Sequence, residues 1–425
     1  YYTQGAYYLC SVADSVFLNP QGSVSLVGLA SQGLFFTGLA EKIGVEHYIF
    51  KVGTYKSAVE PFFLKKFSDA NREQLTSFLG SVWGNLTTAI EKSRNISSDE
   101  LDRYLNEGLA MGQASNAVDY KLADGLRYRY EVENCVKEMA GQDVKGKLKT
   151  AGVDKVASIK VKEKDSGNKI AVLYAEGEIR DDDSSSPFSA DEQVISEEMA
   201  NKLRKLKDDD DVKAVVFRVN SPGGSAYISE QIWKEVVELK AKKPIVVSMG
   251  NYAASGGYYI SCAANKIVAE RTTLTGSIGV FGVVRNFTGT FDKVGVTTDI
   301  VKTNTFADLG DISRPMREDE KALIQRGVEQ TYDLFLTRCA DGRGMTKAEI
   351  DSIGQGRVWT GEQALERGLV DQLGGMDDAI KEAATLAELT DYSVIVADGP
   401  KDFFTKFMEK QMDEAKVSIA KSVMG

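Results

Sequence analysis

"VKAVVFRVNSPGG" (212–224) is the stretch on which the fold turns. Its run of Val212, Val215, Val216, Phe217 and Val219 is apolar, short and mostly β-branched, and Pro222 with two glycines closes it. This predicts a strand buried on both faces, followed by a tight turn. Beyond the turn, Ile228, Ile232, Trp233, Val236 and Leu239 recur at the spacing of one helix face. "PIVVSMG" (244–250) then predicts a further strand, and "KIAVLYAEGEI" (169–179) predicts one upstream. Strands alternating with helices imply parallel βαβ units covered on both faces, so the predicted class is α/β.

The strand at 244–250 runs into "YAASGGYYISCAANK" (252–266), and the chain opens on a near copy, "YYTQGAYYLCSVADS" (1–15). A shift of 251 positions lays Tyr1, Gly5, Tyr7, Tyr8 and Ala13 on Tyr252, Gly256, Tyr258, Tyr259 and Ala264. It holds without a gap to Lys56, and it puts Gln4 on Ser255. Further on, "NAVDYKLADGL" (116–126) echoes "QALERGLVDQL" (363–373). A period of domain size means two copies of one fold rather than a solenoid. The expected organisation is a first copy at 1–141, a polar, lysine-rich linker at 142–168 and a second copy at 169–425. Because Tyr1 aligns with Tyr252, about 80 residues equivalent to those after Lys169 are expected upstream of the first copy.

Bulk properties agree with this division. At 425 residues the chain exceeds one ordinary core. Its 43% hydrophobic and 27% charged residues are those of a globular protein. The net charge of −10 argues against a nucleic-acid partner, which needs a basic surface. The acidic runs Asp181–Asp183 and Asp208–Asp211 read as solvated turns rather than calcium loops. Cys10, Cys135, Cys262 and Cys339 form no C-x-x-C pair, so metal binding is not expected. Cys10 and Cys262 fall in the twin apolar helices and read as small buried hydrophobes. No run approaches 18 apolar residues, so nothing in the sequence reads as a transmembrane helix. The chain starts on Tyr1 rather than methionine, so a signal or anchor upstream of it would not be seen in this sequence.

Ser255 stands where a strand gives way to a helix, beside Gly256 and Gly257. That placement exposes a side chain at a strand's carboxyl end and turns the Gly256 amide toward a ligand. Gly224 precedes a second helix whose first amides lack partners. Two such amides would make an oxyanion hole; alternatively, the glycines only permit tight packing. Ser225, which enters that helix, reads as a cap. A serine needs a base, and the one histidine, His47, lies on a predicted strand between Val45 and Ile49, where an ordinary strand histidine is the simpler reading. A Ser-His-Asp triad is therefore poorly supported. Lysine serves if burial keeps its amine neutral. Lys42 and Lys51 align with Lys293 and Lys302, but Lys56 in "VGTYKSAVEPF" aligns with Ala307, an asymmetry like that of Ser255.

"VGTYKSAVEPF", "NSPGGS", "AASGGYYIS" and "TGSIGVFG" together resemble the long, two-copy form of the signal peptide peptidase A (protease IV) family, peptidase family S49. That family lies in the Clp-protease/crotonase superfamily, and the resemblance covers essentially the whole chain. It implies two tandem domains of that fold and a serine–lysine dyad. By motif, Ser255 resembles the nucleophile, Lys56 the general base and Ser277 the hydroxyl bonded to the lysine amine. Gly224 and Gly256 match the oxyanion-hole positions. No cofactor or metal is implied. The implied substrates are cleaved signal peptides and other short or unfolded apolar peptides. The implied assembly is a ring-like homotetramer at the bacterial inner membrane, its catalytic domains periplasmic and its anchor outside this sequence. "FFTKFMEKQMDEAKVSIAK" (403–421) reads as an amphipathic helix docked on protein or touching a membrane. A crotonase-like acyl-CoA enzyme, or a scaffold with an inert site, would share the fold without needing Ser255 or Lys56.

Overall fold

A computed structural model describes residues 1–157, 166–181 and 193–397. The amphipathic stretch at 403–421 and most of the acidic run at 181–183 lie outside the described residues. Contacts divide the chain into two compact units. The first comprises 1–50, 54–163 and 281–325, and the second comprises 51–53, 164–280 and 326–425.

The second unit is built on one sheet whose spine is Lys169–Glu176, Val212–Ser221 and Ile245–Ala254, side by side and parallel. Ser393–Val396 extends it beyond Lys169–Glu176. On the other side Leu274–Gly276 and then Val358–Thr360 follow, the last antiparallel. Lys266–Ala269 pairs with the lower part of Ile245–Ala254 and carries Gln372–Leu373. Val215, Val216, Phe217 and Val219 are fully buried, as a strand covered on both faces requires. Complete burial of such a side chain contributes roughly 1.5–3 kcal/mol.

Helix Ala226–Lys240 follows the turn, and Ile228, Ile232, Trp233, Val236 and Leu239 are its buried face. The strand expected to end at 250 continues to Ala254. The one expected at 169–179 breaks at Gly177, whose φ of +102 ends the ladder before Glu178–Ile179. The helix after Ser255 is a single turn, Gly256–Tyr259, so Cys262 lies beyond it, wholly buried.

The first unit repeats much of this scaffold in the same register. Tyr2 pairs with Val24 and Thr3 with Ser25, while Ala253 pairs with Thr275 and Ala254 with Gly276, each residue displaced by the same shift. Phe17–Leu18 pairs with Gly125–Leu126 as Val268–Ala269 pairs with Gln372–Leu373. Helix Asp69–Arg94 answers Glu318–Arg343, both 26 residues long, and Arg129–Met139 answers Met376–Leu386. The buried Tyr7 hydroxyl donates to the Leu122 carbonyl at 2.7 Å, and that of Tyr258 donates to Leu369 at 3.0 Å. Arg94 pairs with Asp124 at 2.8 Å, and Arg343 with Asp371 at 2.9 Å.

Candidate active site

Strand Ile245–Ala254 and helix Gly256–Tyr259 are separated by Ser255 alone, so this one residue must turn the chain from extended to helical. It does so at φ +54, ψ −119, a conformation that costs a non-glycine residue about 1–3 kcal/mol. The strain is held from both sides. The Ser255 amide donates to Gly276 O at 2.9 Å, and the Ser255 carbonyl accepts from the Tyr259 amide at 2.9 Å. The side chain of Ser255 thereby stands at the carboxyl end of the sheet, half-buried.

The SPGG turn passes directly beside it. The Ile179 amide donates to Gly223 O at 2.9 Å, and the Ser225 amide donates to Ile179 O at 2.7 Å. Ile179 thus bridges to Gly224 as in a parallel ladder, which turns the Gly224 N–H away from Ile179. Its nitrogen lies close to Gly256. A Cβ on Gly256 would lie 3.1 Å from the Gly224 nitrogen and 2.8 Å from Ser229 Oγ. A Cβ on Gly223 would lie 2.7 Å from the Gly256 nitrogen and 2.8 Å from Ser255 Cβ. Gly224 itself has φ +149, and a side chain there would strike Ile179 O at 2.0 Å. Only glycine lets these two turns approach so closely. Gly256 is the first residue of its helix, so its amide has no partner within that helix. Two amides accordingly converge beside the Ser255 side chain, the arrangement that can bind an anionic oxygen.

Ser225 caps helix Ala226–Lys240, its Oγ accepting from the Ile228 amide at 3.4 Å. Two members of this arrangement were not singled out from the sequence. Ile179 orients the Gly224 turn from a point 45 residues earlier in the chain, and no local pattern announces such a contact. Ser229 donates to Ser225 O at 2.7 Å and packs on Gly256; its only signal was the one-turn spacing from Ser225.

Ser277 follows strand Leu274–Gly276 as Ser255 follows its own strand, and Ala254 pairs with Gly276. The two serines therefore occupy adjacent positions at the ends of neighbouring parallel strands. Ser277 also has positive φ, +51, and its amide donates to Arg357 O at 2.7 Å.

Lys56 belongs to the first unit, in the irregular segment after strand Glu46–Val52. It is 3% exposed, and its Nζ lies 5.9 Å from the centroid of the Phe281 ring. Burial pulls its pKa down to about 7. His47 lies on strand Glu46–Val52 with its ring stacked on Phe62 at 5.1 Å, and partial burial with Arg285 nearby keeps its pKa below the usual value. Gln4 occupies in the first copy the position of Ser255. Its Oε1 accepts from the amides of Gly28 at 3.1 Å and Val27 at 3.2 Å, while Nε2 donates to Gly28 O at 3.3 Å.

With this geometry in view, the profile of peptidase family S49 matches residues 1–143 and 237–390, and that of Clp protease matches 188–278. Protease 4 of Salmonella typhi is 40% identical over 91% of this chain and 63% of its own length. Serine protease SPPA, chloroplastic, of Arabidopsis thaliana is 32% identical over 90% of this chain and 57% of its own. The putative signal peptide peptidase SppA of Enterococcus faecium is 38% identical over 57% of this chain and 71% of its own. The chain thus spans somewhat less than two thirds of the longer relatives. Among solved structures, a ClpP1 mutant of Listeria monocytogenes aligns with 49% of this chain and 94% of its own, with a TM-score of 0.32 and 15% identity. The α/β architecture of this chain, with a parallel sheet and a match to Clp protease, is the one expected, and the chain belongs to peptidase family S49.

Proposed function

We propose that this chain is a serine endopeptidase in which Ser255 is the nucleophile and Lys56 the general base. The observation that carries the reading is the strained Ser255 beside the converging Gly224 and Gly256 amides. A residue held at that φ persists only when its surroundings over-determine it, and a paired-amide cradle beside a hydroxyl suits acyl transfer. With a pKa of about 7, roughly half of Lys56 is neutral at neutral pH, against almost none for a solvated lysine. The neutral amine takes the Ser255 proton as Oγ attacks the peptide carbonyl. The oxyanion rests on the two amides, and the lysine returns the proton to the leaving amine. Water, deprotonated by the same lysine, then releases the acyl group. Ser277 would hold the amine in line by a hydrogen bond. A carbonyl reaches the cradle only on an extended chain, so unfolded or short apolar peptides, including cleaved signal peptides, are the proposed substrates.

Self-association has support from the repeat. Strand Glu46–Val52 pairs with Val280–Asn286, but the positions equivalent to these, 297–303 and 29–35, form no strand and are mostly exposed. A head-to-tail contact made once and left open at both equivalents favours a closed ring of chains, for which a homotetramer is proposed. No helix of the described residues is long and apolar enough to cross a membrane. Attachment to the inner membrane, with the peptidase on the periplasmic side, is proposed.

A serine-directed acylating probe tests the chemistry. The expected result is labelling at Ser255, found by peptide mapping, and competed by an unfolded peptide. Labelling confined to other serines, with peptide hydrolysis intact, would overturn the assignment. A crotonase-like enzyme would leave Ser255 unlabelled and bind an acyl thioester instead.

A further inference from the structure

Lys56 sits in residues 53–59, which have no regular structure, between strand Glu46–Val52 and the short turn Glu60–Phe62. A long side chain on such a segment can place its amine over several ångströms, which a proton-transfer step does not tolerate. Helix Asp69–Arg94 supplies the restraint. Gln74 Nε2 donates to Tyr55 O at 3.0 Å and to Ser57 Oγ at 2.8 Å, the residues on either side of Lys56. The same nitrogen lies 3.1 Å from Asn71 Oδ1. Asn71 Nδ2 donates to Glu60 Oε2 at 2.9 Å, and Glu60 Oε1 accepts from Ser68 Oγ at 2.5 Å. Gln74, Asn71 and Glu60 are all buried. A chain of buried polar groups is rigid when satisfied and costly when broken.

Helix capping accounts for part of this network, since Ser68 is the N-cap and accepts from the Asn71 amide at 3.1 Å. It does not account for Gln74. That residue lies in the second turn, past the amides that need caps, and reaches back to residues 55 and 57. The second copy makes the contrast. There Lys56 becomes Ala307, and on the matching helix Gln74 becomes Leu323, which has no donor, while Asn71 becomes Glu320, engaged by Arg314 and Arg317. The clamp accompanies the lysine.

We infer that Gln74 is a positioning residue for the lysine base, its amide gripping both neighbours of Lys56 and so fixing where the amine sits. This rests on Lys56 being the base. The test is Gln74→Leu in the full chain, assayed on an unfolded peptide across pH. The expected result is a kcat lower by about 10–100-fold with KM little changed. The rising limb of kcat should also move to higher pH, because a loosened amine regains water and holds its proton more tightly. Ser57→Ala, which removes one of the two gripping bonds, should move both quantities the same way by less, and it serves if Gln74→Leu does not fold. An unmoved limb and kcat in a folded variant would overturn the inference, even where thermal stability falls. Lys56→Met separates the two claims. If it abolishes activity while Gln74→Leu leaves the limb in place, only the positioning role fails; if the limb survives in Lys56→Met, the base assignment fails as well.

Discussion

The two copies share a scaffold and differ in what they do with it. Tyr7 and Tyr258 make the same buried hydrogen bond, Arg94 and Arg343 the same ion pair, and both copies pair their short strands in one register. At the junction after the first of these strands they part. The second copy has Ser255 at positive φ, whereas Gln4 is absent from the positive-φ residues and spends its side chain on the backbone of Val27 and Gly28. A Cβ on Gly256 would collide with Ser229 and crowd Gly224, whereas one on Gly5 would meet nothing within 4 Å. The position of Ser277 holds the buried Leu26. Packing constraints thus act on both copies alike, while at this junction the positive φ and the close backbone approach occur in the second copy and not in the first.

Breaking the comparison where it is widest should give the largest effect. Ser255→Ala is expected to lower peptide hydrolysis by about 10⁴-fold or more, as loss of a nucleophile does. Gln4→Ala should leave the rate within about twofold, having lost only contacts to a surface loop. Comparable losses in two folded variants would show that the first copy is also catalytic. The glycine pair comes next. Gly256→Ala should cost about 10²–10³ in kcat, because its Cβ must displace the Gly224 amide or the Ser229 hydroxyl. Gly5→Ala, in open space on helix Gln4–Cys10, should preserve activity and add up to about 1 kcal/mol of stability. A Gly256→Ala enzyme of full activity would show that the close approach of the two turns is not needed for catalysis. The smallest effect sharpens the likeness instead. Tyr7→Phe and Tyr258→Phe each strand a buried carbonyl, and each should destabilise its own unit by about 1–2 kcal/mol in urea denaturation. Costs that differ by more than about 1 kcal/mol would mean that the matching bonds sit in cores of unequal quality.

Much of this contrast can be read from the chain, because it is local. Val212 to Asn220 holds a continuous apolar, largely β-branched run, as a strand buried on both faces does, Pro222 and the glycines stop it, and the helix face from Ile228 to Leu239 follows from its spacing. Ser255 and Lys56 stand out because their partners in the repeat, Gln4 and Ala307, cannot do the same chemistry. The clamp around Lys56 could not be read, since Gln74 looks like any polar residue of a long helix until the fold brings residues 55 and 57 to it.

The sequence by itself determined which elements form, that the fold is written twice, and which side chains have the right functional groups. These depend on periodicity, turn chemistry and residue type, all of which act over a few positions. The tertiary structure alone decided the state of those groups. Lys56 loses its proton near pH 7 because distant segments exclude water from it, and a desolvated charge is costly wherever it sits in the chain. Ser255 keeps an unfavourable φ because Gly276 and Tyr259 hold it on either side. The Gly224 amide is left facing away from Ile179, and close to Gly256, because Ile179, from another strand, bonds to Gly223 and Ser225 on either side of it.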